Sequence, residues 1–160
     1  MSNQNDPNTS MNNLNLNDPN TLPVDFIQNL VDNYRNNQLE CINQNMMMDD
    51  AHSIWFDLST LKSFITEIET QAQIVDPNVQ NDDLGIRFYY AAYPGTPVLP
   101  IPSDYAKRHT LVMIPTKKDQ DLNYDFNPFE GKALAVTSEL ALAQNHGTLV
   151  PPSTSVVESY

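Results

Sequence analysis

Basic side chains are scarce in this chain: its 160 residues hold eight Lys and Arg against twenty Asp and Glu, a net charge of −12. The acidity is spread rather than gathered in a tail, with seven acidic and one basic residue up to residue 50 and thirteen and seven after it. Binding to a phosphate backbone needs the opposite sign, and Lys107-Arg108 and Lys117-Lys118 are too few to supply it, so nucleic acid is excluded as a partner. One cysteine, Cys41, allows neither a disulfide framework nor a zinc cluster. Four glycines leave no phosphate-cradling loop, and no GxSxG elbow is present. No apolar run approaches the ~20 residues that cross a bilayer, and the opening Met-Ser-Asn-Gln-Asn lacks the basic and apolar regions of a signal peptide. These absences lead us to expect a cytoplasmic protein without membrane insertion.

Asparagine is abundant where the other types are rare: fourteen of the first 45 residues. Met1 to Leu22 is almost free of aliphatic side chains and carries the turn signals Asp6-Pro7-Asn8 and Asp18-Pro19-Asn20. Too little apolar surface is available there to offset the entropy of ordering. The expected plan is an Asn-rich arm over 1–22, disordered or ordered by a partner, an amphipathic helix and linker over 23–50, a core domain over 51–150, and a flexible tail over 151–160.

Pro23 and Asp25 suit a helix entrance, and Phe26, Ile27, Leu30, Val31 and Tyr34, then Leu39 or Ile42, recur at helical spacing. From residue 53 the periodicity changes repeatedly. Ser53 to Leu58 reads as a strand. A second helix follows over Leu58 to Ala72, with a stripe of Leu58, Leu61, Ile65, Ile68 and Ala72 and Phe64 alongside. Gly85 to Tyr93 alternates Ile86, Phe88, Tyr90 and Ala92 with Arg87, Tyr89, Ala91 and Tyr93, as a half-covered strand does. His109 to Thr116 is apolar on both faces and should be central. Asn123 to Pro128 is strand or loop, and Lys132 to Asn145 is helix or strand. In the helical case, Asn145-His146-Gly147 would supply the stop, with Gly147 in a left-handed cap. The expected fold is α+β, with a mixed or antiparallel sheet of three to five strands and one or two packed helices.

Four candidate sites emerge. Asp119, Asp121, Asn123 and Glu130 reproduce the calcium-ligand positions 1, 3, 5 and 12 of an EF-hand loop, though Tyr124 stands where that loop needs glycine. His146 with Asp125 could form an acid–base pair. The loop Pro94 to Pro102, with Pro97 and Pro100 inside it, is too proline-rich for a ladder and suits recognition. Phe26, Leu30 and Tyr34 on the first helix, and Tyr89 and Tyr93 on the aromatic strand, could contact a partner.

The order WFD-L-x-x-L-K-x-F-I, GIRFYYAAY, HTLVMIPT and NHG-x-L-x-P-P, spanning Trp55 to Pro152, resembles a family of small Bacteroidetes-type bacterial α+β proteins. The resemblance implies a bacterial origin and a shared core, and brings no activity with it. Such relatives carry a cysteine before the double proline, where this chain has Val150, so no thiol or metal role transfers. The leading expectation is a non-enzymatic interaction or assembly component that docks on protein partners through its arm, first helix and Pro-rich loop. The alternatives are an acidic immunity-type inhibitor of a basic partner and a small hydrolase-like enzyme using His146 with a carboxylate.

Overall fold

The structure, a computed structural model, describes residues 20–130 and 140–160. Most of the Asn-rich arm and the larger part of the Lys132 to Asn145 segment lie outside the described residues. The fold is α+β, with two antiparallel sheets. The chain divides into two compact units, one of residues up to Asp50 together with Val157–Tyr160, the other Ala51–Val156.

In the first unit, α1 (Val24–Asn33) runs through a π-helical segment (Tyr34–Leu39) into α2 (Glu40–Met46). The apolar pattern explains the wider turn. Continuing the steps of Phe26, Ile27, Leu30, Val31 and Tyr34 at α-helical pitch would bring Asn37, Gln38 and Cys41 onto the stripe, one residue short of Leu39 and Ile42. A π turn absorbs one residue, and here the Glu40 N–H reaches back five positions to the Arg35 carbonyl. Leu39 is buried as a result. Asparagine side chains compensate locally for their poor helix propensity: Asn37 Nδ2 donates to the Asn33 carbonyl at 2.7 Å and Asn45 Nδ2 to that of Cys41 at 2.7 Å. Of the flexible tail expected over 151–160, Val157–Tyr160 belong to this unit. Arg35 pairs with Glu158 at 3.5 Å and donates to the Tyr160 carbonyl oxygen at 2.5 Å.

The second unit holds both sheets. β1 (Ser53–Trp55) pairs with β5 (Thr148–Val150), and β2 (Leu84–Ala92), β3 (His109–Asp119) and β4 (Leu122–Asp125) form the other sheet in that order. β3 is central, as its apolar faces foretold. Its side away from β2 is occupied by β4, by the Phe126 N–H on the Pro115 carbonyl and by a two-way bridge from Gln144 to Met113. α3 (Leu58–Val75) starts at Asp57, whose carboxylate accepts the Thr60 N–H at 2.8 Å and its hydroxyl at 2.5 Å. The buried ridge of α3 is Phe64, Ile68 and Ala72, with Leu61 beside it. The expected stripe was turned too far: Leu58 is 65% and Ile65 44% exposed. Phe64 and Ile68 meet Met113, and Leu84, Ile86, Phe56 and Leu142 close the cluster.

With so few glycines, left-handed backbone falls to other residues: Met47 at the end of α2, Lys107 before β3, and Gln120 in the two-residue turn from β3 to β4. Gly147 serves a different purpose from the helix stop foreseen for it. Residues 140–147 are not helical, and a Cβ on Gly147 would lie 2.4 Å from Ile54 and 2.6 Å from Phe56. The glycine lets the chain pass close to β1 on its way into β5. No helix among the described residues is long and apolar enough to cross a membrane.

Candidate functional site

The Pro-rich loop between β2 and β3 is held at its base and open at its tip. Tyr93 N–H donates to the Arg108 carbonyl at 2.9 Å, continuing the β2–β3 ladder, and Lys107 N–H reaches the Pro94 carbonyl at 3.3 Å. A short helical turn over Ser103–Tyr105 follows the prolines. The Tyr105 ring lies 5.6 Å from that of Tyr93, and its hydroxyl accepts the Leu149 N–H at 3.1 Å. The Tyr93 hydroxyl donates to Asn145 Oδ1 at 3.0 Å, where the Thr110 hydroxyl also donates at 3.0 Å. Both hydroxyls therefore fix one amide oxygen, which ties the loop to the segment leading into β5. At the tip, Ile101 N–H closes a turn on the Val98 carbonyl at 3.1 Å, leaving Val98 75% and Leu99 93% exposed.

Of the residues expected to contact a partner, Pro97 is half-buried and Pro100 exposed at this tip. Tyr93 is half-buried and braces the loop from behind. Tyr89 lies on the face of the sheet away from α3, where its hydroxyl donates to Asp125 Oδ2. Arg87 completes that cluster, pairing with Asp125 Oδ1 at 2.5 Å and donating to the Asn123 carbonyl at 2.9 Å. The Tyr89 contact, and then the Asp125 charge, hold the guanidinium above its ordinary pKa. In the other unit, Leu30 is 50% exposed while Phe26 and Tyr34 are half-buried.

The acid–base pair is not assembled. Asp125 sits opposite Thr116, whereas His146 lies two residues beyond the Gln144–Met113 bridge, level with Leu111. Five residues of strand, on the order of 16 Å, separate the two levels. His146 is exposed, and its N–H and Nδ1 both meet Gln144 Oε1 at 2.6 Å. The calcium spacing falls on the β3–β4 hairpin instead of a loop wrapped about an ion. Asp119 is paired with Leu122 and Asn123 with Lys118, so strand alternation sends Asp119 and Asn123 to opposite faces. Among the described residues no group of three His, Cys, Asp or Glu side chains could hold a metal.

A cleft of about 540 Å³ opens beside the hairpin, lined by Asp76, Asp83, Lys117, Asp119 and Tyr124 among others. Lys117 Nζ is already paired with Asp76 at 2.5 Å, which holds the Asp76 carboxyl below the usual range. Lys117 and Asp76 thus answer each other's charge within the cleft.

The braces were missed in the sequence. Asn145 sits next to the histidine that drew attention, and nothing local links it to Tyr93 and Thr110; only register does. Compared with family models, curated proteins and solved structures, the chain matches none.

Proposed function

We propose that the chain is a non-enzymatic protein-binding component, docking by the tip of its Pro-rich loop into a shallow apolar pocket on a protein partner. The observation that carries this reading is the 93% exposure of Leu99, beside Val98, on a loop whose base is fixed by Tyr93, Tyr105 and Asn145. Two aliphatic side chains held in water are unfavourable for the free protein and gain on burial, about 1.5–3 kcal/mol for each when fully covered. A loop already fixed by prolines and hydroxyl contacts loses little further entropy on docking. The exposed Leu30 on α1 offers a second, weaker contact. Within this reading the protein works in the bacterial cytoplasm as part of an assembly, an origin supported by the resemblance of its motifs alone.

The test is purification of the tagged full chain with Val98→Ser and Leu99→Asp together. Bound proteins should be lost while the melting midpoint stays within a degree or two, because neither side chain packs on the core. Retention of the same bound proteins by the double variant would sink the reading.

A further inference from the structure

β2 is the outer strand of its sheet. The Tyr93 to Arg108 bond sets the parity of its ladder, so the odd-numbered residues of β2 exchange hydrogen bonds with β3. The N–H and C=O groups of Ile86, Phe88, Tyr90 and Ala92 therefore point away from the sheet. β3 shows the matching parity, since Met113 and Pro115 use their outward groups on Gln144 and Phe126. Apart from the Leu84 N–H, taken by Asn81, no described residue hydrogen-bonds this edge.

Open edges are ordinarily blunted by proline, charge, a bulge or brevity. β2 runs nine residues in unbroken register with no proline, and its single charge, Arg87, is already neutralised by Asp125. It is also half-covered in a particular way. Leu84 and Ile86 pack on the α3 cluster, while Phe88 is 52% and Tyr90 92% exposed on the same face.

That pattern is complementary to itself. Two β2 strands set antiparallel about a two-fold axis at Phe88 bring Leu84 opposite the partner's Ala92, Ile86 opposite the partner's Tyr90, and Phe88 opposite the partner's Phe88. On the other face, Gly85 meets the partner's Ala91 and Arg87 the partner's Tyr89. Residues whose polar groups face outward are paired with one another throughout, no like charges oppose, the exposed Tyr90 comes beside the covered Ile86 of the other strand, and the two exposed Phe88 rings meet at the axis. At the ends, acidic Asp82-Asp83 approaches the end of the partner sheet where the basic pair at 107 and 108 leads into β3. That opposition offsets part of the repulsion between two chains of charge −12. We infer that the chain forms a two-fold homodimer through the free edge of β2, its sheet continuing from one copy into the other. The inference is independent of the loop reading: either can fail alone.

Sedimentation of the full chain across micromolar concentrations should show a dimer. Phe88→Lys places two ammonium groups across the axis and should weaken association at least about tenfold. Tyr90→Pro removes an outward N–H while sparing the β2–β3 ladder, and should also give monomer. In a Cys41→Ser background, Phe88→Cys should oxidise to a covalent dimer, because opposed residues of a hydrogen-bonded pair lie about 5.5 Å apart between Cα atoms, within disulfide reach. Ala92→Cys, set against leucine, should not cross-link. The cysteine pair keeps the test decisive if Phe88→Lys disturbs folding. A monomer at all concentrations would overturn the inference, as would a dimer linked through Ala92→Cys but not Phe88→Cys. A monomer whose Ile86, Phe88 and Tyr90 amides resist exchange would also overturn it, by showing that another part of the chain covers the edge.

Discussion

Two helical segments carry apolar stripes of comparable clarity in the sequence, and the protein uses them in different ways. α3 is fastened: a carboxylate caps its first turn, and Phe64, Ile68 and Ala72 are buried against the sheet. α1 starts at Pro23 without a side-chain cap and buries none of its ten residues. Its continuation through the π segment buries Leu39 alone, and on α1 itself the Gln28 side-chain amide donates to Asp32 Oδ1 one turn on at 3.0 Å. Periodicity reports which face of a helix is apolar, and the difference here shows that it does not report how firmly that face is covered.

The largest test of this contrast is truncation. Phe64→Ala should cost about 3–5 kcal/mol, since it removes a buried ring from the centre of the cluster with Ile68 and Met113. Leu30→Ala, on a side chain 50% exposed, should cost less than about 1 kcal/mol. Denaturant midpoints at constant slope would measure both. A Leu30→Ala loss as large as that of Phe64→Ala would mean that α1 is fastened as tightly as α3 and would end the comparison.

A smaller effect probes the π segment. Its extra residue exists because the stripe is one position too long for α pitch, so deleting Asn37 should restore an unbroken α-helix with the apolar residues still in line. Far-UV helicity should hold or rise, and the melting midpoint should change little. Inserting an alanine after Asn37 adds a second residue of slip and should lower the midpoint of this unit. If deletion proved the more damaging, register would not be the cause of the π turn.

These cases also mark what sequence reading could reach. The α+β class, the central place of β3 and the face alternation of β2 were legible because each is a property of a short local pattern. The π turn was visible only as a five-residue gap between Tyr34 and Leu39 that no single α pitch spans. The face of α3 was misjudged between Leu58 and Phe64, because both lie close to the stripe and only the position of Met113 across the gap chooses between them. The division of the strands into two sheets depends on where Thr148 to Val150 lands, a pairing with β1 across almost a hundred residues. The place of the loop between β2 and β3 was legible from its prolines. Its braces were not, since Tyr93, Tyr105, Thr110 and Asn145 converge only after the strands have paired.

The smallest effect concerns the helix starts and acid. The Thr60 hydroxyl, and then its N–H, hold the Asp57 carboxyl below the ordinary 3.8, and Lys117 does the same for Asp76. A carboxyl whose folded pKa is depressed contributes its stabilisation in full above the unfolded value and loses it as pH falls through the lower folded one. Stability should therefore decline from about pH 5 downward, with Asp57 and Asp76 among the causes. Asp57→Asn keeps an effective cap while removing the titration, so it should leave the midpoint at pH 7 nearly unchanged and flatten part of the acid slope. Asp76→Asn also gives up the charge pairing with Lys117 and should lower the midpoint at pH 7 as well as flatten the slope. Because α1 begins at Pro23, with no side-chain cap to protonate, hydrogen exchange should show acid loosening the first turn of α3 before that of α1. Equal loosening of both starts would show that the Asp57 cap is not what separates them.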